Sequence, residues 1–395
     1  MSRNVYVAGV GMIPFKKPGT SDSYDVMGAT AVRQALLDAG IEYSAVQQAY
    51  AGYVYGDSTC GQKALYQVGM TGIPVINVNN NCATGSSALF LARQAVASGA
   101  VDCALAVGFE FMQPGALSSK WSDRAPALER ALKVTDELVN RPDLPPAIRQ
   151  FAGAGRAHME KYGTKLETFA KIRAKASRHA EHNPLAVFRN VITTEDVLAA
   201  PVLWEGVMTR LMACPPTCGA AAAVVMSEEF AKKHGLRTDV LIAGQALTTD
   251  TPSTYDANDM IRVVGFDMTR AAAAQAYAQA GIGPEDIDVI ELHDCFAQME
   301  LLTYEALGLC GEGNAEKLID DGDNTYGGRW VTNPSGGLLS KGHPLGATGL
   351  AQCFELTNQL RSKVDRRQVD GARIALAHNV GLGGACVVTV YKKVA

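Results

Sequence analysis

The segment Asn79-Asn80-Asn81-Cys82-Ala83-Thr84-Gly85 joins a β-rich run at Val75–Val78 to an Ala- and Leu-rich helical pattern. A second segment, Gly342-His343-Pro344-Leu345-Gly346-Ala347-Thr348-Gly349, also precedes an Ala- and Leu-rich helical pattern. Both are rich in small residues and read as turns that begin a helix. The echo between them predicts a duplicated fold in which Cys82 and His343 start equivalent helices and face each other. The alternative is a chance likeness between two Ala-rich helices.

The rest of the chain also alternates strand and helix patterns. Short apolar runs bounded by turn residues predict strands, and longer amphipathic patterns that end at Gly predict helices. Such alternation predicts a mostly parallel sheet covered by helices on both faces, that is, an α/β fold. The predicted strands are Val5–Val10, Ala49–Val54, Val75–Val78, Cys103–Gly108, Val240–Ala243, Ile287–Leu292, Ile374–Ala377 and Cys386–Tyr391, and the main predicted helices are Met27–Ala39, Cys82–Ser98, Arg270–Ala280 and Gly349–Leu360.

A second echo supports the duplication. Ala35-Leu36-Leu37-Asp38-Ala39-Gly40-Ile41 matches Ala276-Tyr277-Ala278-Gln279-Ala280-Gly281-Ile282 in residue type and spacing. The region from about 112 to 212 differs, with mixed charges and several prolines, and is predicted to be an insertion. The predicted domains are therefore 1–111 and 213–250 for the N-terminal half, 112–212 for the inserted loop domain, and 251–395 for the C-terminal half.

Basic residues of the insertion are expected to reach a phosphorylated substrate, although for each single Lys an ordinary solvated helix face is the better interpretation. These residues are Lys161, Lys165, Lys171, Arg173, Lys175 and Arg178.

Composition excludes several classes of protein. The chain has 395 residues, 47% of them hydrophobic and 19% charged, with a formal net charge of −4. Its length and apolar content suit two domains with a sizeable core. The near-balanced charge, without a run of Lys and Arg, argues against a nucleic-acid partner. No apolar run reaches the ~18 residues of a membrane span.

The nine cysteines indicate a reducing compartment. Their number is odd, and the chain start leads straight into the first strand, so free thiols in the cytoplasm are expected. No Cys-x-x-Cys pair occurs, and a metal site is not expected.

Cys82 and His343 form a candidate nucleophile and base. A thiol at a helix N-terminus lies at the positive end of the helix dipole, which predicts a lowered pKa. An imidazole in the Gly-rich loop around His343 is suited to take the proton of that thiol and later to donate to an oxyanion. The alternatives are an inert buried cysteine and a satisfied loop histidine.

His293 and Cys295 end the predicted strand Ile287–Leu292, where α/β sheets place their sites. Cys295 is a candidate acid/base, His293 a candidate oxyanion ligand, and Asp294 between them a structural hydrogen-bond partner. Gly381, in a second Gly-rich turn, is a candidate backbone donor to an oxyanion. His378 and the cysteines at 60, 103, 214, 310, 353 and 386 are interpreted as structural.

At these residues the chain resembles the thiolase superfamily, in particular the sterol carrier protein type of 3-ketoacyl-CoA thiolase. The resemblance covers nearly the whole chain and is most specific in the Asn79–Gly85 stretch, in Val289–Phe296 and in residues 324–349. It implies two similar βαβαβαββ halves in a five-layer α-β-α-β-α sandwich with an inserted loop domain. It also implies a homodimer or homotetramer, with acyl-CoA and CoA as the molecules bound.

The subtype bears on the mechanism. Conventional thiolases carry a second catalytic Cys in a C-terminal Cys-x-Gly motif, whose first position matches Asn379 here. The sterol carrier type carries that thiol in its His-Asp-Cys-Phe motif, which makes it Cys295. The same resemblance gives His293 its role at the oxyanion and implies that CoA lies near Lys161, Tyr162, Gly336 and Gly337, with no other cofactor and no metal.

Two positions depart from the family pattern. Cys218 stands where the family usually has Asp, and Met299 stands where it tends to have Asn. Both affect the expected substrate preference and neither removes a catalytic group. In the sterol carrier protein type, the thiolase also occurs fused to a lipid-transfer domain that follows it. That domain is not expected here, and lipid carriage is not predicted.

The resemblance implies cleavage of a 3-ketoacyl-CoA by CoA through an acyl-Cys82 intermediate, in fatty acid or sterol side-chain degradation. His343 activates Cys82, the amides of Cys82 and Gly381 hold one oxyanion, and Cys295 moves the proton at carbon. The alternatives are acetyl-CoA acetyltransferase working in the condensing direction, a CoA-ester retro-aldolase, and a non-catalytic acyl-CoA or lipid-binding protein.

Overall fold

The computed structural model describes residues 3–113 and 121–394, and its elements alternate as the sequence predicts. The strands are β1 Val5–Met12, β2 Gln48–Gly52, β3 Val75–Val78, β4 Cys103–Glu110, β5 Val202–Trp204, β6 Met208–Thr209, β7 Gly219–Ser227, β8 Val240–Thr248, β9 Val289–Glu291, β10 Val331–Thr332, β11 Ile374–Gly381 and β12 Ala385–Lys393. The helices are α1 Tyr24–Ala39, α2 Cys60–Tyr66, α3 Thr84–Ala97, α4 Glu129–Val139, α5 Pro146–Tyr162, α6 Leu166–Ala180, α7 Thr194–Leu198, α8 Glu228–His234, α9 Ser253–Asp256, α10 Met260–Val263, α11 Phe266–Ala280, α12 Ala297–Ala306, α13 Ala315–Asp320, α14 Gly337–Ser340 and α15 Thr348–Leu360.

Ten of the strands repeat one arrangement twice. The first five-stranded half has the order β3-β2-β4-β7-β1, and the second has the order β10-β9-β11-β12-β8. In the first half β2 is parallel to β3 and β4, and β7 is antiparallel to β4 and β1. In the second half β9 is likewise parallel to β10 and β11, and β12 is antiparallel to β11 and β8. The halves meet where Tyr6 of β1 pairs with Leu241 of β8. The repeat in strand order therefore begins at β8, ahead of the domain boundary predicted at residue 250.

Helices α3 and α15 form the central layer. They pack against each other and each contacts strands of both half-sheets, while α1 covers the outer face of the first half and α11 that of the second. Both central helices are almost entirely buried, which agrees with their Ala- and Leu-rich sequences. The predicted α/β fold, with five layers in the order α-β-α-β-α, is confirmed.

Two glycines allow the central helices to approach closely. A Cβ atom added to Gly349 would lie 2.3 Å from the backbone N of Ser86, and one added to Gly85 would lie 2.7 Å from the carbonyl O of Gly346. Such distances are far inside ordinary contact, so only glycine fits at these positions. The segments that precede α3 and α15, which carry Cys82 and His343, are thereby brought together.

Between β4 and β7 the chain leaves the sheet and forms α4 to α7 and the small β5–β6 pair. Helices α5 and α6 pack on α12, and α6 also packs on α14. The prediction that its basic residues face a phosphorylated substrate is wrong for two of them, because Arg173 and Lys175 are 5% and 2% exposed. Lys175 forms an ion pair with buried Glu300, and Arg173 donates to Ser340 Oγ at 2.7 Å. Lys171 is engaged with Glu167 and Asp320.

Within the part of the chain that the structure describes, no helix is long and apolar enough to cross a membrane. All nine cysteines lie in this part and all are free thiols.

Candidate active site

Cys82 lies in the tight turn between β3 and α3. Asn81 has a left-handed φ of 50°, and the amides of Ala83 and Thr84 donate to the carbonyls of Asn80 and Asn81. The Thr84 hydroxyl closes the turn, because it donates to Asn81 O at 2.6 Å and accepts from Asn80 N at 2.9 Å. Local hydrogen bonds therefore fix the backbone that presents the thiol.

The predicted lowering of the Cys82 pKa is wrong for the resting protein. Burial raises its pKa to about 12, and the carboxylate of Glu110 adds to the rise, while the backbone amide of Leu382 opposes it. Helix α3 begins at Thr84, two residues beyond the thiol, so desolvation outweighs the dipole. Cys82 is thus a thiol at rest and requires a base to become a nucleophile.

His343 is held on both sides of its loop. Its backbone N donates to Thr217 Oγ1 at 3.2 Å, and its Nδ1 lies 2.7 Å from Thr348 Oγ1. The Thr348 hydroxyl also donates to Pro344 O at 3.0 Å, which leaves its lone pair to accept from His343 Nδ1–H. The other ring nitrogen, Nε2, is buried and has no hydrogen-bond partner among residues 3–113 and 121–394. This is the arrangement of a neutral imidazole with Nε2 ready to accept a proton.

The charge state of His343 agrees with that role. Burial, the neighbouring His293 and the charge of Lys341 hold its pKa well below the usual value. A neutral base is therefore present across the physiological pH range.

His293 follows β9 and faces His343, with 5.0 Å between the ring centroids. Its Nδ1 lies 2.7 Å from Oδ1 of Asn379, whose Nδ2 donates to Ser86 Oγ at 3.3 Å. The amide orientation makes His293 Nδ1 the donor, so Nε2 of the neutral ring carries a lone pair. Burial lowers the His293 pKa to about 4. Without a proton on Nε2, the neutral His293 ring cannot donate a hydrogen bond directly to an oxyanion.

The structure brings together the three predicted groups. The Cys82 sulfur and one ring nitrogen each of His293 and His343 lie within 4.8 Å of one another, and all three side chains are buried. Such a spacing also suits a metal ion, so a metal-free site remains a prediction. The arrangement is that of a thiol with one imidazole as its base and a second imidazole opposite.

Cys295, the predicted acid/base, is bonded through its backbone to Cys214, whose thiol the sequence analysis does not assign to the site. Burial raises the Cys295 pKa well above its usual value, and negative charge on Cys214, Cys82 or Asp294 raises it further. The amide of Cys214 donates to the Cys295 carbonyl at 2.8 Å. Cys214 had been interpreted as a packing residue, and the sequence signal that marks it is only its position before Pro215.

Gly381 packs directly against the Cys82 turn at the end of β11. A Cβ atom added to it would lie 2.0 Å from Asn80 O and 3.1 Å from Ala83 N. The next residue supplies an amide at the sulfur, since the Leu382 backbone N–H lowers the Cys82 pKa. Leu382 was missed because a backbone group leaves no signature in the side-chain sequence.

The glycines predicted to lie near CoA are covered by protein. Gly336 and Gly337 are buried, and added Cβ atoms would meet Ala180 and the Asp294 carboxylate, respectively. Asp294 accepts from the Leu338 amide at 2.7 Å, which confirms it as a structural hydrogen-bond partner. Direct contact of CoA with these two glycines would require their neighbours to move, and the placement of CoA near them stays a prediction.

Lys161 and Tyr162 at the end of α5 remain accessible. Lys161 is exposed, and its ammonium lies 4.9 Å from the centroid of the Tyr162 ring. The Tyr162 hydroxyl donates to Glu312 at 3.3 Å.

The remaining singled-out residues are structural. Cys218 is buried and donates from Sγ to Met112 O at 3.4 Å, and Met299 is buried in α12. His378 is buried with Nε2 at 3.1 Å from Thr269 Oγ1, and its Nδ1 accepts from the His293 amide at 3.5 Å.

Comparisons with known proteins agree with this geometry. The family models "Thiolase, N-terminal domain" and "Thiolase C-terminal domain-like" match residues 5–229 and 249–392. Sterol carrier protein 2 of Oryctolagus cuniculus is 54% identical, over 98% of this chain and 72% of that protein. Non-specific lipid-transfer protein-like 2 of Caenorhabditis elegans is 47% identical, over 98% of this chain and 96% of that protein. Benzoylsuccinyl-CoA thiolase subunit BbsB of Thauera aromatica is 36% identical, over 97% and 96%.

Solved structures share the fold. The Ltp2–ChsH2(DUF35) aldolase matches with a TM-score of 0.83 at 23% identity, over 99% of this chain and 98% of that one. Human mitochondrial 3-ketoacyl-CoA thiolase in complex with CoA matches with a TM-score of 0.75 at 18% identity, over 100% and 98%. On the family models, the relatives above 30% identity and the fold, the chain belongs to the thiolase family and is an acyltransferase enzyme related to the sterol carrier protein 2 type.

Proposed function

We propose that the enzyme is a 3-ketoacyl-CoA thiolase that cleaves its substrate with CoA. The products are a shortened acyl-CoA and acetyl-CoA, or propionyl-CoA when the substrate carries a 2-methyl branch. The observation that carries the proposal is the cluster in which Cys82, His293 and His343 meet within 4.8 Å. A second thiol, Cys295, is near enough to Cys82 for negative charge there to raise its pKa. CoA acts as a substrate, and no further cofactor enters the scheme.

The first half-reaction begins at Cys82. His343 Nε2 takes the thiol proton, and the thiolate attacks the 3-keto carbon. The C2–C3 bond breaks, the acyl group stays on Cys82, and the electron pair of the broken bond forms the enolate of acetyl-CoA. His343 Nε2–H and a water on His293 stabilise the enolate oxygen, and Cys295 gives its proton to C2.

The second half-reaction restores the enzyme. The Cys295 thiolate takes the proton of a second CoA thiol, whose sulfur attacks the acyl-Cys82 carbonyl. The backbone amides of Cys82 and Gly381 hold the oxyanion that forms, and the Cys82 thiolate leaves and recovers its proton from His343. Loss of one oxyanion donor lowers kcat by ~10²–10³-fold in such sites.

Two thiols favour thiolysis over the retro-aldol alternative. Aldol cleavage of a CoA ester forms no acyl-enzyme and needs no acylated thiol, whereas this chain has Cys82 in the cluster and Cys295 two residues after His293. The aldolase with the high TM-score shares the fold at 23% identity, which carries no argument about chemistry. The name of the relative sterol carrier protein 2 supports fatty acid or sterol side-chain degradation as the setting, and that of benzoylsuccinyl-CoA thiolase supports thiolysis of a CoA ester.

Assembly and compartment complete the proposal. A homodimer or homotetramer is expected, and light scattering coupled to size exclusion measures it directly. Nine free thiols fit a reducing cytoplasm.

The test is CoA-dependent loss of 3-ketoacyl-CoA absorbance on short, long and 2-methyl-branched chains. Turnover by the wild type that Cys82→Ala and Cys295→Ala both lose supports a two-thiol thiolase. Cys310→Ala, which changes a free cysteine that takes no part in the scheme, is the matched control and retains activity. Full activity in Cys82→Ala contradicts the proposal.

A further inference from the structure

A buried ion pair lies directly behind the two active-site imidazoles. Glu291 ends β9, two residues before His293, and Lys341 lies two residues before His343. Lys341 Nζ lies 2.9 Å from Glu291 Oε2, with side chains that are 1% and 0% exposed. The pair therefore joins the loop that carries one imidazole to the loop that carries the other.

Ser335 completes this junction. Its hydroxyl donates to Glu291 Oε2 at 2.8 Å and accepts from Lys341 Nζ at 2.7 Å, and its backbone N donates to Glu291 Oε1 at 3.1 Å. Each of the three groups thus bonds to the other two in a water-excluded space. Burying an ion pair is expensive unless it is hydrogen-bonded in this way, and a hydrophobic pair of similar size is often as stable. Its presence behind the site calls for a role beyond stability.

We propose that Glu291 and Lys341 are positioning residues that fix the spacing of His293 and His343. The inference rests on the roles proposed above for the two imidazoles and adds the groups that set their geometry. The ion pair connects the two loops at positions two residues before each histidine, and this connection holds the ring centroids at their observed 5.0 Å separation. A displacement of about 1 Å in such a site lowers a rate by roughly 10²-fold.

The charge of Lys341 acts on the base itself. Burial, His293 and then the Lys341 ammonium lower the pKa of the His343 imidazole. The Cys82 sulfur also lies close to the ring, and Glu110 accepts from the Gly346 amide at 3.0 Å in the same loop. Removing the ammonium and leaving the carboxylate raises the pKa of His343, and removing the carboxylate charge alone lowers it.

Substitutions that remove either charge of the pair should therefore change the His343 pKa in opposite directions. A purely structural role of the pair predicts no such difference. Lys341→Met, Glu291→Gln and the double variant are prepared with ¹⁵N-histidine, and the protonation and tautomer of His343 are followed by NMR from pH 5.5 to 8. The wild type keeps His343 neutral throughout. The protonation midpoint of His343 is higher in Lys341→Met than in Glu291→Gln, and the double variant lies between the two, with the titration carried below pH 5.5 as far as each protein stays folded.

Kinetics give the second readout. Both single variants lower kcat for thiolysis by roughly 10- to 100-fold with little change in KM, because the imidazoles rather than the substrate contacts are displaced. A matched control is Glu355→Gln with Arg367→Met, which removes another buried ion pair, with a 3.1 Å separation, away from the site. This control leaves the His343 spectrum and kcat unchanged.

Two results would overturn the roles inferred for Glu291 and Lys341. Equal midpoints in Lys341→Met and Glu291→Gln overturn the charge role, and unchanged kcat in both overturns the positioning role. If a single variant fails to fold, the double variant carries the kinetic test, since it leaves no unpaired charge and still loses the junction. The NMR readout needs no turnover, so a wild type without thiolase activity refutes the proposed function while the predicted shift in the midpoint still supports this inference.

Discussion

His343 Nδ1 lies 2.7 Å from Thr348 Oγ1, and that hydroxyl donates in turn to Pro344 O at 3.0 Å. The hydroxyl has one proton, which is committed to the carbonyl, so the histidine must donate. One threonine thus selects the tautomer that leaves Nε2 free beside Cys82.

Thr348→Val is expected to lower kcat by roughly 10²–10⁴-fold, the usual range for losing a general base. The isosteric valine offers no acceptor, so the buried Nδ1–H is left unpaired and the other tautomer is favoured. Steady-state thiolysis measures the loss. Thr348→Ser keeps the hydroxyl and should retain activity, and Thr357→Val on the same helix is a control. Equal losses in the Ser and Val variants would argue against tautomer selection.

Cys295 is expected to exchange the C2 protons of acetyl-CoA with solvent. In D₂O the wild type incorporates deuterium into the acetyl methyl group, and Cys295→Ala slows this by about 10²–10⁴-fold because the acid/base thiol is gone. Mass spectrometry of recovered acetyl-CoA follows the exchange. Cys214→Ala is the matched control, because its backbone amide still bonds to Cys295 O, and exchange should persist. Exchange that depends on Cys214 instead would reassign the acid/base role.

The free energy of unfolding should fall as pH drops below about 6.5. Burial lowers the pKa values of His179 and His378 to about 3, that of His293 to about 4, and that of His343 well below normal. The unfolded chain binds protons at these sites from pH 6.5 downward while the folded protein does not, so stability rises with pH in this window. The pKa of Asp294 is raised to about 7, so this one group makes stability fall with rising pH, but the four histidines outnumber it.

Thermal unfolding between pH 4.5 and 7.5 checks this prediction. His234→Gln, at an exposed histidine, should leave the slope of Tm against pH unchanged. A Tm that does not change across the window would show that the buried imidazoles take up protons without unfolding.

Gly349→Ala is expected to destabilise the fold by about 1–3 kcal/mol, the usual effect of overpacking. The new Cβ atom would lie 2.1 Å from Ser86 Oγ and 2.3 Å from its backbone N, so α15 must move away from α3. Chemical denaturation measures the change. Gly311→Ala is the control, since its Cβ atom meets only the Asn314 side chain at 3.1 Å. Equal effects would remove close helix approach as the reason for glycine.

The fold and the centre of the site were predictable because their signals are local. The strand and helix patterns and the two echoed turns around Cys82 and His343 lie in continuous sequence, and the structure repeats them as equivalent helix starts. The burial of Arg173 and Lys175 was not predictable. Their partners, Ser340 and Glu300, come from distant segments, so a charge pattern along α6 could not distinguish a solvated face from a buried one.

The parts of the site that sequence reasoning missed are set by contacts between segments. Cys214 is linked to Cys295 by a bond from its amide to the Cys295 carbonyl, which joins two segments far apart in sequence. The backbone amide of Leu382 lowers the pKa of Cys82, and a backbone group cannot be recognised from the residue type. The sign of the Cys82 pKa shift was also mispredicted. A helix start is visible in the sequence, whereas the depth of burial that outweighs it depends on the whole fold.

The acyl-Cys82 intermediate is the central claim, and one measurement tests it most directly. The enzyme is mixed with a 3-ketoacyl-CoA in the absence of free CoA, quenched in acid, digested and analysed by mass spectrometry. The account predicts the shortened acyl group on the peptide that contains Cys82, its release on addition of CoA, and no adduct in Cys82→Ala. Acetyl-CoA formation without any adduct, or an adduct on Cys295 or Cys214, would contradict it.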